Sequence, residues 1–137
     1  MAENIRLEVV TPEKQVVNHM AQIVMAPGSM GEFGVLAGHT PFMTSLNTGV
    51  IHYRDEKGKD HYVFVSGGFA EALPEKVTIL AESAEKVEEI DLDRAKAAHE
   101  RAEKRLEEAR AKIDIDVDRA NASLERAVVR IKLAELR

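Results

Sequence analysis

The last third of the chain carries one sequence pattern twice, and this repeat restricts what that part can fold into. Residues 90–95 read Ile-Asp-Leu-Asp-Arg-Ala, and residues 115–120 read Ile-Asp-Val-Asp-Arg-Ala. The likeness continues, because residues 100–102 and 125–127 both read Glu-Arg-Ala. A repeat interval of 25 residues has room for one helix and a tight turn. The repeat therefore predicts a helical hairpin appended to a module of a different kind.

Apolar residues in the two predicted helices recur in alternating steps of three and four, which is the spacing of a coiled-coil seam. Asp91 and Asp116 precede the helices and are predicted N-caps. The short link Ile113-Asp114-Ile115 predicts an antiparallel return. The predicted seam consists of Leu92, Ala95, His99, Ala102, Leu106, Ala109 and Ile113 in the first helix and Val117, Ala120, Leu124, Ala127, Ile131 and Ala134 in the second.

About half of this seam is alanine. Alanine lets two helices approach closely but buries little apolar surface, at roughly 25 cal/mol for each Å² removed from water. Helices of this length with such a seam need a further surface to be stable. We therefore expect the hairpin to be weakly held and able to open or repack, as a conformational switch requires.

Residues 4–82 have the character of short strands separated by turns. The segment Asp55-Glu56-Lys57-Gly58 is a clear hairpin turn between two of them. Strands of this length without intervening helices indicate an antiparallel β-sandwich or a flattened barrel. Of these we predict the sandwich, so the predicted fold is a sandwich domain at 1–84 and a helical hairpin domain at 85–137. The predicted strands are 5–9, 15–17, 21–26, 50–54, 61–65, 69–73 and 77–80.

Residues 31–42 depart from ordinary strand sequence because glycines and a proline punctuate them. Such residues impose a particular backbone path. Two interpretations are open: a corner where the chain crosses between sheets, or a presented loop with Glu32 and His39 at its tip. On the residues alone the corner is favoured.

No catalytic constellation is recognisable, so no catalytic residue is predicted. The absence of cysteine excludes disulfides and thiolate metal ligands. His52 and His61 could face each other across the hairpin, but two histidines without a further ligand do not predict a metal site. The net charge of −5 argues against non-specific binding to nucleic acid. With neither a signal peptide nor a membrane span, we expect any membrane association to depend on a partner.

Arginines fall at helical spacing in both repeats. Arg94 and Arg101 share a stripe of the first helix, and Arg126 and Arg130 share a stripe of the second. In a hairpin these four guanidinium groups could face one polyanion, since their geometry suits phosphate. The alternative is a solvated face with acidic neighbours, which the residues alone favour. Residues 119–137 hold five basic side chains against two acidic ones, which suits an acidic partner.

The order of several motifs resembles the epsilon subunits of bacterial F-type ATP synthases. The resemblance covers the whole chain, and its most distinctive parts are 31–41 and 66–71. It is carried by Leu-x-Val-Val-Thr-Pro at 7–12, Gly-Glu-Phe-Gly-Val-Leu-Ala-Gly-His-Thr-Pro at 31–41, Ser-Gly-Gly-Phe-Ala-Glu at 66–71, Val-Thr-Ile-Leu-Ala at 77–81 and Ile-Asp-x-x-Arg-Ala at 90–95.

This resemblance implies a non-catalytic rotor subunit that couples proton flow to ATP synthesis. It implies a sandwich that binds the gamma subunit and sits on the ring of c subunits, with Glu32 and His39 as the expected c-ring contacts. It implies a hairpin that either folds up or extends towards the alpha and beta catalytic subunits and inhibits ATP hydrolysis. The expected location is the cytoplasmic face of the bacterial cell membrane, reached only through the complex.

Some family members bind ATP on the folded hairpin, so the resemblance also implies ATP as a regulatory ligand, with no cofactor required. The second motif copy lacks the family's acidic residue five positions upstream, where Arg110 stands, so Arg119 is expected to contribute little. The residues that match the family's nucleotide site are Glu85, Ile90, Asp91, Arg94, Ala95, Arg101, Arg126 and Arg130.

Two other functions stay open at this point. One is a free-standing ATP-sensing module without a rotary partner. The other is a ligand-binding β-sandwich with a solubilising hairpin. The segment around Glu32 and His39 and the cationic last helix favour the rotor interpretation, because neither alternative needs them.

Overall fold

A computed structural model describes residues 3–110 and 116–137 of the chain. The chain divides into two compact units, Met1–Val87 and Glu88–Arg137. The division lies three residues beyond the predicted boundary between 84 and 85. The reason is a final strand, Ser83–Lys86, which pairs with the strand Asp60–Ser66 and so belongs to the first unit.

The first unit is built from strands throughout its described part, with a 3-10 turn at Val87–Glu89 closing it. The strands are β1 Ile5–Val10, β2 Gln15–Gly28, β3 Gly31–Val35, β4 Phe42–Ser45, β5 Gly49–Asp55, β6 Asp60–Ser66, β7 Phe69–Ala72, β8 Lys76–Leu80 and β9 Ser83–Lys86.

Hydrogen bonding joins the strands in the order β4-β7-β8-β1-β2-β5-β6-β9, with β3 attached to β2. The pairing is antiparallel except between β1 and β8, which run parallel. The long strand β2 connects the two halves of this order, because its first half pairs with β1 and its second half with β5 and β3. The register shifts between Ala21 and Ile23, and such an irregularity bends a strand. The predicted β-sandwich is confirmed, with one parallel pair added.

One apolar core fills the sandwich and draws on both halves of the strand order. In β1 the buried residues alternate with exposed ones, so that Ile5, Leu7 and Val9 are completely buried. The core also takes residues from β5 to β8, among them Ile51 and Ile79. In β1, β7 and β8 this period of two turns one face of the strand inward and the other outward. In β6 the four consecutive residues 63–66 are all buried.

The strands predicted at 15–17 and 21–26 are one strand in the structure. Residues 18–20, which separate them, continue the pairing with β1. Asn18 and His19 are exposed and Met20 is half-buried. The Asn18 Oδ1 accepts a hydrogen bond from Arg6 at 2.8 Å. The sequence therefore places a break where β2 is continuous, at residues that lie outside the apolar core.

Residues 31–42 hold two strand segments and a crossing between them. β3 pairs with β2, whereas β4 pairs with β7 at the far end of the sheet order. Residues 36–41 therefore carry the chain across, as the corner interpretation proposes. The Gly38 amide donates to the Pro74 carbonyl at 2.7 Å, which anchors the crossing to the turn between β7 and β8.

The β5–β6 hairpin turns where the sequence predicts it. Its register pairs His52 with Tyr62 and Tyr53 with His61. Neighbouring residues on a strand point to opposite faces, so His52 and His61 lie on opposite faces of the hairpin. The expectation that they could face each other is wrong, because the register is offset by one residue from the one that would align them.

The second unit consists of α1 Leu92–Ala109 and α2 Val117–Glu135. Both predicted N-caps are confirmed. The Asp91 and Asp116 side chains each accept a hydrogen bond from a backbone amide three residues on, at 3.0 Å. The predicted link at 113–115 lies outside the described residues. Each aspartate accepts from an amide of the first helical turn, which has no hydrogen-bond partner within the helix itself.

The turn of the β5–β6 hairpin depends on Asp55. Its Oδ1 accepts from the Lys57 and Lys59 amides, and its Oδ2 accepts from the His61 ring at 2.8 Å. The hydrogen bond from His61 is the main reason that the pKa of Asp55 falls to about 2, and the amide bonds lower it further. A depressed carboxyl pKa stabilises the fold above the unfolded value and ceases to do so as the pH falls through the folded value.

We predict that Asp55→Asn lowers the thermal unfolding midpoint at neutral pH. Asparagine keeps the acceptor for the two amides but removes the charge opposite His61. The difference from the unmodified chain should shrink as the pH falls from about 4 towards about 2, measured by circular dichroism across that range. Glu56→Gln removes a carboxylate from the same turn and is the matched control. If the Asp55→Asn variant has the same lowered unfolding midpoint, relative to the unmodified chain, at pH 2 as at neutral pH, the Asp55 charge is not what stabilises the turn.

Candidate functional site

The helical unit is a closed antiparallel hairpin. The side chain of Arg137, just beyond α2, donates a hydrogen bond to the Ile90 carbonyl, just before α1, at 2.8 Å. The end of the second helix is thus tied to the start of the first. This contact confirms the antiparallel arrangement even though the residues of the connecting turn are outside the described ranges.

Alanines form the buried part of the seam. Ala95, Ala102, Ala120 and Ala127 are each at most 4% exposed. The larger seam residues of the two helices are only half-buried, and Val117 is 44% exposed. Val117 was predicted in the seam but is the first residue of α2, where the neighbouring helix gives it little cover. The helices approach each other through their smallest side chains.

The repeated motif is explained in large part by folding. In each copy the aspartate caps its helix and the alanine is buried in the seam. The arginine between them is exposed in both copies, at Arg94 and Arg119. Helix formation and packing therefore account for the aspartate and the alanine, and they leave the arginine available to bind something else.

A cleft of about 190 Å³ opens along the hairpin. One residue of the lining, Ser123, contributes a hydroxyl, and two seam alanines lie at its base. Most of the rest is guanidinium. The lining consists of Arg101, Ala102, Arg105, Arg119, Ala120, Ser123 and Arg126.

The electrostatics of this cleft are one-sided. Four cationic side chains line it, and its described lining residues include no acidic one. None of the four guanidinium groups makes an ion pair with another described residue. Arg101 and Arg105 are also one helical turn apart, and like charges at that spacing destabilise a helix. The arrangement suits an anionic ligand and is costly without one.

The predicted nucleotide residues are only partly brought together here. Arg101 and Arg126 line the cleft, whereas Arg94 and Arg130 are not among its described lining residues. Ile90 and Ala95 are buried, and Asp91 serves as a cap. Glu85 lies in β9 of the other unit and forms the pair Phe64–Glu85 with β6.

Arg105 and Arg119 were not in the predicted set, and the structure places both beside Arg101 and Arg126. The arginine of the second motif copy, Arg119, therefore lines the cleft together with the two predicted residues. The signal that could have found them is the register of the antiparallel hairpin. The sequence predicts which residues share a stripe on one helix. The register of the hairpin determines which residues of one helix lie beside which residues of the other.

The predicted c-ring residues occupy a different surface, formed by β3, the crossing and β4. Glu32 is exposed in β3, and the turn that precedes it holds Ser29 and Met30. Glu32 therefore lies in a strand rather than at the loop tip, and Met30, 95% exposed, is at the tip. Strand pairing of Glu32 with Pro27 accounts for the difference.

His39 lies in the crossing and is half-buried. Its Nδ1 donates to the Thr40 carbonyl at 2.7 Å, which leaves Nε2 as an acceptor with no partner among the described residues. Its ring is 5.8 Å from that of Phe42, which also meets Phe33 edge-on at 5.1 Å. We call Glu32, Phe33, His39 and Phe42 the β3–β4 surface.

Within the described ranges no helix is long and apolar enough to cross a membrane. In the same ranges no group of three histidine, aspartate or glutamate side chains is placed to hold a metal ion.

Two protein-family models match the chain, and their boundary coincides with that between its compact units. Residues 4–87 match the beta-sandwich domain of the ATP synthase delta/epsilon chain. Residues 88–135 match the long alpha-helix domain of the same chain.

Curated relatives that bear the name ATP synthase epsilon chain are similar over most of their length. The chain is 68% identical over 107 residues to the one from Desulfosudis oleivorans, covering 78% of this chain and 80% of that one. It is 63% identical over 108 residues to the one from Desulforapulum autotrophicum, covering 79% and 80%. It is 46% identical over 106 residues to the one from Lawsonia intracellularis, covering 77% and 79%.

Solved structures give the same result. A chain in the mitochondrial ATP synthase of Euglena gracilis, in a structure of OSCP, F1 and c-ring, superposes with a TM-score of 0.72 at 29% identity, covering 100% of this chain and 84% of that one. A chain in the central stalk and c-ring of the Tetrahymena thermophila enzyme has a TM-score of 0.53 at 14% identity, covering 65% and 71%. The second match concerns the fold alone.

Proposed function

The chain belongs to the delta/epsilon-chain family of ATP synthase, and from this premise we propose that its sandwich docks on the rotor while its hairpin regulates ATP hydrolysis. It is an epsilon subunit of the central stalk and a non-catalytic part of the ATP synthase complex. The observation that carries the proposal is the contrast between the two units. The sandwich has a closed apolar core, whereas the buried residues of the two helices are alanines and the single leucine Leu133.

For the sandwich we propose the gamma subunit and the c-ring as partners, at the cytoplasmic face of the bacterial membrane. The β3–β4 surface suits the c-ring contact, since it combines the exposed Glu32 carboxylate with the rings of half-buried Phe33 and exposed Phe42. Exposed apolar side chains nearby in the sequence, Met30, Leu36 and Met43, favour burial in an assembly.

We predict that Glu32→Cys forms a cross-link to subunit c in the assembled complex, and that His39→Cys does so more slowly because position 39 is half-buried. The chain has no cysteine of its own, so each variant carries one thiol. The products can be identified by mass spectrometry after oxidation.

Lys57→Cys is the matched control, because the β5–β6 turn lies towards the opposite end of β2 from the β2–β3 turn. It should not react with subunit c. Cross-linking of position 57 to subunit c, with position 32 reacting only with catalytic subunits, would reverse the proposed orientation.

For the hairpin we propose an inhibitory extended state in which α2 meets the alpha and beta subunits. Opening the hairpin costs little, because the buried seam residues are mainly alanines and each buries little surface. Cationic side chains on α2, including Arg126 and Lys132, would then face acidic surface, where complementary charge gives orientation and speed of association.

We predict that removing residues 88–137 raises ATP hydrolysis by the complex and leaves its assembly intact. The first unit retains its whole core without the hairpin. Hydrolysis rate and subunit stoichiometry of the purified complex provide the two readouts. If the shortened chain no longer assembles, the hairpin has a structural role and the regulatory proposal fails.

We further propose that ATP is a regulatory ligand of the closed hairpin, with no cofactor required. Arg94, Arg101, Arg126 and Arg130 would surround its phosphates, and Glu85 and Asp91 would hold polar groups beside Ile90 and Ala95. A ligand that binds only the closed form stabilises it by about 2.7 kcal/mol at a hundredfold excess over Kd. That amount is sufficient to bias a seam of alanines towards the closed state.

We predict that Arg126→Ala weakens ATP binding to the full chain by about tenfold or more, since it removes a charge-assisted contact to phosphate. Arg94→Ala should weaken ATP binding by a similar factor. Calorimetric titration provides the measurement.

Lys104→Ala is the control, because it removes a cation from exposed α1 surface outside the cleft. Its ATP affinity should equal that of the unmodified chain. If the chain does not bind ATP at millimolar concentration, the nucleotide proposal is wrong and the arginine stripes are a solvated surface of the helices.

A further inference from the structure

We infer that the cleft between α1 and α2 is an oxyanion site that binds inorganic phosphate or pyrophosphate directly, without a nucleoside. It uses Arg105 and Arg119, which the proposed nucleotide site does not contain. It shares Arg101 and Arg126 with that site but does not depend on the nucleotide proposal.

The sequence repeat explains why a second anionic site should exist. Arginines occupy three pairs of equivalent positions in the two copies of the 25-residue repeat. These pairs are Arg94 and Arg119, Arg101 and Arg126, and Arg105 and Arg130. Two like helices packed antiparallel are related by an approximate twofold axis. The cleft set of Arg101, Arg105, Arg119 and Arg126 is therefore the image of the proposed nucleotide set. The repeat places one arginine quartet towards each end of the hairpin.

The size of the cleft selects the ligand. Pockets for drug-sized molecules have about 300–1,000 Å³, so a cleft of about 190 Å³ is too small to enclose a whole nucleotide. Inorganic phosphate and pyrophosphate are of this size.

The chemistry of the lining selects the same class. Guanidinium groups bind phosphate oxygens in a bidentate manner. The Ser123 hydroxyl can donate a further hydrogen bond, and its counterpart in the first repeat is Ala98. This serine thus distinguishes the cleft from its image. The buried Ala102 and Ala120 keep the base open, where a larger side chain would occupy the space.

The charge of the empty cleft also favours an anion. Four cationic side chains without an acidic partner among the described residues repel one another. A multiply charged oxyanion removes this repulsion and holds α1 to α2. Phosphate would then favour the closed hairpin.

The test is a titration of the full chain with sodium pyrophosphate and with sodium phosphate, followed by calorimetry and by the amide NMR signals of Ala102, Ala120 and Ser123. Both anions should bind saturably. Arg105→Gln and Arg119→Gln should each weaken pyrophosphate binding by about tenfold. Ser123→Ala should weaken it by a smaller factor, and Lys104→Gln should have no effect.

Sodium chloride at equal ionic strength controls for general screening of charge. If chloride moves the same signals to the same extent, the cleft is not a site. If Arg105→Gln and Arg119→Gln both bind pyrophosphate as the unmodified chain does, the inference is also wrong. Folding of the variants is checked without ligand, where their thermal midpoints should not fall, because each variant removes a repelling charge.

Parallel titrations with ATP separate this inference from the nucleotide proposal. Arg94→Ala should weaken ATP binding and leave pyrophosphate binding unchanged. Pyrophosphate binding without ATP binding would support the oxyanion site and overturn the nucleotide site. ATP binding without pyrophosphate binding would do the reverse.

Discussion

Alanines set the spacing between the two helices of the hairpin, and the properties of that unit depend on this spacing. Ala95, Ala102, Ala120 and Ala127 are nearly completely buried, whereas the larger residues of the seam are not. A buried methyl-sized group contributes about 0.8 kcal/mol, compared with roughly 1.5–3 kcal/mol for a leucine side chain. The two helices therefore lie close together, but their packing contributes little stability. Close approach brings arginines of both helices together, and weak packing lets whatever binds them decide between closed and open.

The two units differ in how much they lose when they open. Opening the sandwich would expose a core drawn from almost every strand, including the completely buried Ile5, Ile51 and Ile79. Opening the hairpin exposes mainly small side chains. Local opening takes place where few apolar contacts are lost. The proposed regulatory role needs this difference, because the sandwich must remain folded when the hairpin opens.

Much of this fold could be predicted from the sequence, and the errors have physical causes. Both helices begin where an aspartate cap predicts, because capping is a local interaction. The predicted division of β2 falls at residues 18–20, where the buried positions of the strand are interrupted. β3, β4 and β9 were not predicted, since each is short and is defined by its pairing with a distant strand. Pairing of this kind is set by tertiary structure, and short segments carry little pattern of their own.

The arginines show where local patterns cease to be informative. Stripe spacing and motif matching both select Arg94, Arg101, Arg126 and Arg130. The described lining of the cleft contains Arg101 and Arg126 from this set, and it also contains Arg119, which motif matching set aside. The 25-residue repeat relates the arginines of the cleft to the arginines of the predicted nucleotide site. In an antiparallel pair of similar helices, a set of residues drawn from both helices has a counterpart set. In the counterpart set, each residue is replaced by the equivalent residue of the other helix. A motif that occurs twice therefore cannot be assigned to one copy by sequence alone. The register of the helices and the differences between the copies, such as Ser123 in place of Ala98, decide what each constellation can bind.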